Sequence, residues 1–275
     1  MNIPAHQLVD YFADAPLLFV DSYSNSITMD SNWTPSYTAA DSCSFVLTSG
    51  GSAVVTIDGE LYKLEPGFIL HTPSKRKLNI QVITAWQYTV LNYRNLESNH
   101  HPFSLSEQSF VLYTGKQADL QQQLDALLNL YQQPAPITRI KAKASFFLVL
   151  QHMLQAAQQQ ARMKKSELMQ QAVEFMHQHY HQPISVTEIA QIIGIERRRF
   201  AYLFERYTGM TPNHYMTSCR MKRSRELLRA QHYTVAQVAE LVGYHDSFYF
   251  SRVFKKYNGM PPTDYRRQVS AHYSL

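Results

Sequence analysis

The chain of 275 residues is poor in cysteine and has no long apolar segment. Its two cysteines, Cys43 and Cys219, lie far apart in regions that predict different domains. A disulfide scaffold or a cysteine-ligated metal site is therefore not expected. No apolar run approaches the roughly 20 residues that span a bilayer, and the first residues lack the basic-then-apolar pattern of a signal peptide. We expect a cytoplasmic protein that does not bind a membrane.

Charge is also scarce, and its positive excess is confined to one part of the chain. Charged residues make up 17% of the sequence against 45% hydrophobic residues, which is typical of a folded globular protein. Residues 166–275 hold 14 basic and 9 acidic side chains, whereas residues 1–165 hold 12 of each. This distribution predicts a neutral domain followed by a basic domain that meets phosphates. Charge alone is equally compatible with a solvated basic face.

Short β-rich runs alternate with turn signals between residues 43 and 93. The segments Ser49–Gly51, Asp58–Gly59 and Glu65–Gly67 separate these runs, so each is predicted to be a turn. Several short strands at such spacing indicate a small antiparallel barrel or sandwich. Residues 1–30 predict an arm and an opening strand.

Two amphipathic helices follow, near residues 118–132 and 139–158, with Pro134 and Pro136 between them. Their apolar stripes predict a helical hairpin that packs on the sheet. The same stripes, on glutamine-rich helices with few charges, also suit a homodimer seam. Residues 158–165 are polar and predict either a linker or a helix tail, and a new helix is expected from Ser166.

The C-terminal part contains an internal repeat. Ser185–Gly194 repeats as Thr234–Gly243, and Phe204–Tyr215 repeats as Phe254–Tyr265, with one residue inserted between the two matches. Each copy has a short apolar helix with a capping residue, a glycine turn and a second helix, which predicts two helix-turn-helix units. A helix over residues 212–230 joins them and is long enough to hold two second helices about one DNA turn apart.

The second copy resembles the AraC/XylS family of transcriptional regulators. The residues that carry this resemblance are Ala239, Gly243, Tyr244, Asp246, Tyr249, Phe250, Ser251, Arg252, Phe254, Lys255, Lys256, Gly259, Pro262, Tyr265 and Arg266. The N-terminal strand and turn pattern is similar to the cupin-type barrel that such regulators use as a sensory domain. The resemblance implies an α+β protein of two domains: a cupin-like effector-binding and dimerisation barrel with a helical hairpin at 1–160, and an all-α double helix-turn-helix DNA-binding domain at 166–268.

The resemblance also implies which side chains contact double-stranded DNA. In the first unit it places base-edge contacts on Arg198, Ala201 and Tyr202, where Arg198 can bond guanine bidentately and Ala201 offers a thymine methyl an apolar contact. Phosphate contacts are expected from the flanking basic residues Arg197, Arg199 and Arg206. In the second unit the corresponding candidates are Ser247, Phe248, Ser251, Arg252, Lys255 and Lys256. Because these include fewer base-directed donors, the second unit is predicted to position the protein more than it discriminates sequence.

Aromatic residues of the predicted barrel are the candidates for binding a small-molecule effector. They are Trp33, Tyr37, His71, Trp86 and Tyr88, and they suit a sugar or another ring-bearing metabolite, although core packing is an equal alternative for each. We expect no cofactor and no metal, since the first cupin motif has no histidine and His71 is better explained as lining the barrel. The histidines at 177, 179 and 181 are expected to form a solvated helix end rather than a zinc site.

The resulting hypothesis is a ligand-responsive, homodimeric transcriptional regulator without catalytic residues. If it is an activator, RNA polymerase is a further partner; the sequence does not separate activation from repression. One alternative is a cupin-type metal-dependent enzyme with an accessory nucleic-acid-binding domain, which would need a ligand cluster in the barrel. Another is an architectural DNA binder, which the neutral charge of residues 1–165 argues against.

Overall fold

The computed structural model describes residues 3–28, 34–96, 108–230 and 232–272, with only the backbone described for 34–36 and 270–272. The chain forms two compact units, Met1–Met163 and Lys164–Leu275. The boundary between them lies inside the helix α3, Pro136–His179.

The N-terminal unit is built on one antiparallel sheet, as the sequence predicts. Its strands follow the order β1-β6-β3-β5-β7, with β2 paired to β6 and β4 paired to β3. In the described part of the chain no pairing joins the edge strands β1 and β7, so the sheet is not closed into a barrel. The strands are β1 (Leu17–Ile27), β2 (Thr34–Tyr37), β3 (Cys43–Ile57), β4 (Glu60–Leu64), β5 (Phe68–Thr72), β6 (Lys77–Asn95) and β7 (Phe110–Tyr113).

Two of the three predicted turns are confirmed, and one is wrong. Asp58–Gly59 joins β3 to β4, and Gly67 lies in the turn before β5 with φ of 94°. Ser49–Gly51 instead lies inside β3, where the pairing with β6 shifts register. A Cβ on Gly51 would lie 1.8 Å from the Ala85 carbonyl oxygen, so glycine here permits close approach of two strands rather than a hairpin.

Helices cover the sheet of the N-terminal unit. The predicted arm is wrong, because α1 forms at Ala5–Asp14 and buries Leu8, Tyr11 and Phe12. The predicted hairpin is present as α2 (Ala118–Tyr131) and the first part of α3. The residues that α2 and α3 add to the same core as the sheet include Leu120, Leu124, Leu127, Phe146 and Leu150.

Helix α3 continues through the segment where a linker was one alternative. It runs unbroken over residues 158–165, so the expected helix start at Ser166 is wrong. The segment is rich in glutamine, alanine, arginine, methionine and lysine, which favour helix, and it holds no glycine or proline to end one.

The C-terminal unit consists of helices around two apolar cores. The first core contains Phe200 and Phe204, and the second contains Phe250 and Phe254. Helix α6 contributes to both, with Met216 in the first core and Leu228 in the second. The helices after α3 are α4 (Val186–Ile193), α5 (Arg197–Thr208), α6 (Pro212–Arg229), α7 (Val235–Leu241), α8 (Ser247–Asn258) and α9 (Pro262–His272).

Candidate nucleic-acid interface

The first helix-turn-helix unit is α4 and α5, and local hydrogen bonds fix both helix starts. Ser185 and Glu188 form a capping box, in which the Glu188 amide donates to Ser185 Oγ at 3.2 Å and the Ser185 amide donates to Glu188 Oε2 at 2.8 Å. Gly194 ends α4 with φ of 75°. Glu196 then caps α5, because its carboxylate accepts the amides of Arg198 and Arg199 at 2.9 Å each. These bonds hold the pKa of Glu196 below its ordinary value.

The second unit, α7 and α8, repeats this construction with different side chains. Thr234 and Gln237 form its capping box, with the Thr234 amide donating to Gln237 Oε1 at 2.8 Å. Helix α7 ends just before Gly243, which has φ of 84°. Asp246 caps α8 by accepting the amides of Phe248 and Tyr249 at 2.8 and 3.1 Å. The repeat found in the sequence is thus also a repeat of capping geometry.

The outer face of α5 is basic. Phe200 and Phe204 anchor the inner face with no exposed surface, while the side chains at 197, 198 and 199 are all exposed. Tyr202 is 57% exposed, and its hydroxyl accepts a hydrogen bond from Arg206 Nη1 at 3.1 Å. This bond lowers the pKa of Tyr202 and orients both side chains on one face. The face offers several cationic donors for base edges and phosphates.

The outer face of α8 is mixed. Phe248 is 83% exposed, the largest exposure among the large hydrophobic side chains of the described residues. The Ser251 hydroxyl donates to the Ser247 carbonyl at 2.8 Å, and the Arg252 guanidinium lies 5.8 Å from the Tyr249 ring centroid. A shallow depression on this face is lined by Phe248, Ser251, Arg252, Lys255 and Pro261.

The structure therefore places every predicted DNA-contacting residue on α5 or α8. Tyr249 supports Arg252, which was not predicted, although their spacing of three residues places them on one helix face. The hydrogen bond from the Ser251 hydroxyl to the backbone was not predicted either.

Of the predicted effector residues that the structure describes, only Trp86 and Tyr88 contact each other. His71 is fully buried, and its Nε2 and Nδ1 lie 2.7 Å from Tyr93 Oη and 2.9 Å from the Gln108 carbonyl oxygen. Burial lowers the pKa of His71 to about 4, so the ring is neutral and belongs to the core. Trp86 is buried in a separate cluster and stacks on Tyr88 at 4.1 Å between ring centroids. Tyr37 is 71% exposed, and Trp33 lies outside the described residues.

A concave site of about 400 Å³ lies elsewhere in the N-terminal unit, between the sheet and α2. Its walls are largely apolar, and a cationic and several amide or hydroxyl side chains stand at its edge. The lining residues are Leu47, Thr48, Ser49, Pro66, Gly67, Phe68, Ile69, Thr114, Gly115, Lys116, Gln117, Ala118, Leu120, Gln121 and Leu124. No sequence pattern pointed to this site, because its walls come from three separate segments of the chain.

The histidines near the end of α3 have other contacts. His177 Nε2 lies 2.9 Å from Tyr215 Oη, and His179 Nδ1 lies 2.9 Å from the Phe175 carbonyl oxygen. Within the described ranges, no group of three or more histidine, cysteine or acidic side chains is arranged to hold a metal ion. The helices described there also include none with the length and apolar character needed to cross a membrane.

Two helix-turn-helix units with exposed second helices define the double helix-turn-helix class of proteins. Residues 189–268 match the family model described as a helix-turn-helix domain. Over 99 residues the chain is 30% identical to the HTH-type transcriptional regulator GbdR of Pseudomonas aeruginosa, covering 36% of this chain and 27% of GbdR. Over 108 residues it is 27% identical to the raffinose operon regulatory protein RafR of Pediococcus pentosaceus, covering 39% of each chain.

The C-terminal unit is therefore similar to helix-turn-helix transcriptional regulators, which supports the resemblance to the AraC/XylS family seen in the sequence. Among solved structures it is similar to the C-terminal domain of AraT from Geobacillus stearothermophilus, with 27% identity, a TM-score of 0.36, and coverage of 37% of this chain and 84% of that one. The chain spans about a third of the length of these curated relatives.

Proposed function

We propose that this protein is a sequence-specific DNA-binding transcriptional regulator. The observation that carries the proposal is the pair of exposed faces on α5 and α8, each presented by its own capped helix-turn-helix core. The curated relatives named above are transcriptional regulators, and they match this unit. Basic side chains on both faces supply the phosphate contacts, and the residues between them meet base edges.

Genome-wide mapping of bound DNA tests this function. The wild-type chain should enrich a common sequence motif, and a variant with Arg198→Ala and Arg252→Ala should lose about 1–3 kcal/mol of binding free energy at each altered contact. Arg223→Ala is the matched control, because Arg223 is an exposed arginine of α6 paired with Glu226. A wild-type chain that enriches no motif, or a double variant that binds the same sites equally well, would contradict the proposal.

We propose further that a small-molecule effector binds the N-terminal unit in the concave site beside α2. Apolar walls that include Leu47, Phe68 and Leu124 suit the body of a small amphipathic or ring-bearing metabolite, and Lys116 suits a polar or anionic group on it. Because His71 and Trp86 have almost no exposed surface, we favour this site over the predicted cluster of aromatic residues as the place where an effector binds. Such an effector shifts DNA occupancy only through unequal affinity for two arrangements of the protein.

A thermal-shift screen of metabolites locates the effector site. A carboxylate-bearing hit should stabilise the wild-type chain and lose at least about tenfold in affinity, the equivalent of ~1.4 kcal/mol, in Lys116→Ala. Lys77→Ala, at the start of β6, serves as the control. A hit whose affinity is unchanged in Lys116→Ala places the effector elsewhere.

A homodimer is proposed through the outer side of α3. Leu120, Leu124 and Phe146 of the predicted seam are buried in the core. Ile140 and Phe147 of the predicted stripe are 64% and 45% exposed, and Ile137 and Leu148, which are 58% and 54% exposed, lie on the same side of the helix. Sedimentation should show a dimer that Ile140→Glu together with Phe147→Glu converts to monomer, while Lys63→Glu leaves it intact. A monomeric wild-type chain contradicts this proposal.

A further inference from the structure

Arg220 lies within α6, the helix that joins the two helix-turn-helix units, and it bonds to the chain segment just after α3. Its Nε donates to the Tyr180 carbonyl oxygen at 2.6 Å, and its Nη2 donates to the Gln182 carbonyl oxygen at 3.0 Å. Both carbonyls lie just past His179, the last residue of α3, and the planar guanidinium presents several N–H donors that can bond to two such acceptors at once. Tyr180 itself packs against the first core.

The same guanidinium contacts the second helix-turn-helix unit. Its central carbon lies 5.2 Å from the ring centroid of Tyr244, which follows Gly243 in the turn between α7 and α8. Tyr244 is 9% exposed and belongs to the second core, where its ring centroid lies 5.6 Å from that of Phe250. A guanidinium over an aromatic face is a favourable contact. One side chain of α6 thus touches residues of both cores.

A second, independent contact joins the same two segments. Gly243 has φ of 84°, and a Cβ added there would lie 2.5 Å from the carbonyl oxygen of His181. The turn of the second unit is therefore pressed against the backbone between Tyr180 and Gln182. This contact and those of Arg220 both join the turn of the second helix-turn-helix unit to the segment that follows α3.

We propose that Arg220 is a positioning residue that sets the separation and relative rotation of α5 and α8, and thereby the spacing of the two DNA segments that the protein reads. This inference rests on the proposed DNA-binding function. Arg220 itself contacts no base in this scheme. Its loss should change spacing selectivity, whereas the affinity of one unit for its own segment should remain.

The test uses the full-length chain and a DNA duplex selected by the wild-type protein from a random pool. One base pair is then inserted between the two protected segments, which turns one segment by about 35° relative to the other. For the wild-type chain we expect the insertion to weaken binding by at least about tenfold, the scale of one mismatched base pair. For Arg220→Ala we expect weaker binding to the parent duplex and less than about threefold loss on insertion, since the two units are no longer held at one spacing.

Three further variants keep the test decisive. Arg223→Ala, in the same helix and paired with Glu226, should retain the wild-type penalty for insertion. Tyr244→Leu keeps an apolar side chain in the second core but removes the aromatic face, so it should relax spacing even if Arg220→Ala does not fold. Lysine cannot reproduce the planar fork that bonds two carbonyls, so Arg220→Lys should give an intermediate penalty.

The outcomes separate this inference from the function on which it rests. If the wild-type chain selects no duplex, the proposed function fails, and the inference fails with it. If the wild-type chain selects a duplex but folded Arg220→Ala and Tyr244→Leu keep the full insertion penalty, only the positioning role is overturned. An equal loss on parent and inserted duplexes in every variant also overturns it, because a merely structural defect behaves in this way.

Discussion

Helices α5 and α8 pack their inner faces in the same way but present different outer faces. Phe200 and Phe204 in the first unit, and Phe250 and Phe254 in the second, have no exposed surface. Outside, α5 carries three successive exposed arginines, whereas the matching positions of α8 are Ser247, Phe248 and Tyr249. The two copies of the repeat therefore share the buried residues that form each core and differ in the exposed residues that would contact DNA.

The largest expected effect is a loss of stability when a buried phenylalanine is removed from either helix-turn-helix core. Phe200→Ala and Phe250→Ala should each lower the free energy of unfolding by about 3–5 kcal/mol, because each removes a fully buried aromatic ring. Chemical denaturation of both variants measures this, with Phe248→Ala as the exposed control that should change stability by less than about 0.5 kcal/mol. A large loss of stability in only one of these two variants would show that the two cores are not equivalent.

The next effect concerns the outer faces. Arg198→Ala should cost about 1–3 kcal/mol of DNA binding and relax discrimination at one base pair, because a bidentate arginine contact to guanine is lost. Phe248→Ala, at the matching position of α8, removes only an apolar contact and should relax discrimination less. Binding to duplexes substituted in each segment gives the comparison. Equal or greater discrimination in the segment read by α8 would contradict the predicted division of roles.

A smaller effect should be shared by both units. Arg206 and Lys256 occupy matching exposed positions near the ends of α5 and α8. If each contacts one phosphate, Arg206→Ala and Lys256→Ala should each reduce the slope of log affinity against log salt by about 0.9. Titrations at several salt concentrations measure the slope. A change confined to one variant would show that only one helix end lies beside the DNA backbone.

The smallest expected effect is a difference in the acid sensitivity of the two capping boxes. Hydrogen bonds from Ser185 hold the pKa of Glu188 below its ordinary 4.5, so the stability it gives α4 is present above that value and is lost as pH falls through the lower folded pKa. Gln237 has no such titration. Amide hydrogen exchange at positions 188 and 237 should therefore diverge at acidic pH, and Glu188→Gln should abolish the divergence. Parallel acid sensitivity in both units would refute this reading.

Prediction from sequence succeeded where the determining contacts are local. Thr234 was placed correctly as the cap of α7, because a cap needs only the next three residues. Prediction failed at Ser49–Gly51, since whether two glycines turn a chain or admit a neighbouring strand depends on the distant segment around Ala85. The continuous α3 was missed for a similar reason, because a polar composition suits both linker and helix surface.

The sequence by itself determined the double helix-turn-helix unit, its caps and the residues of its outer faces, because helical periodicity and capping are written in consecutive residues. Only the tertiary structure decided that His71 is a neutral core residue, that the concave site lies beside α2, and that Arg220 joins the two units. Each of these depends on contacts between residues far apart in the chain: Tyr93 for His71, α2 against β5 for the concave site, and Tyr180 and Tyr244 for Arg220. Such pairings leave no periodic signal in the sequence, because packing rather than spacing selects them.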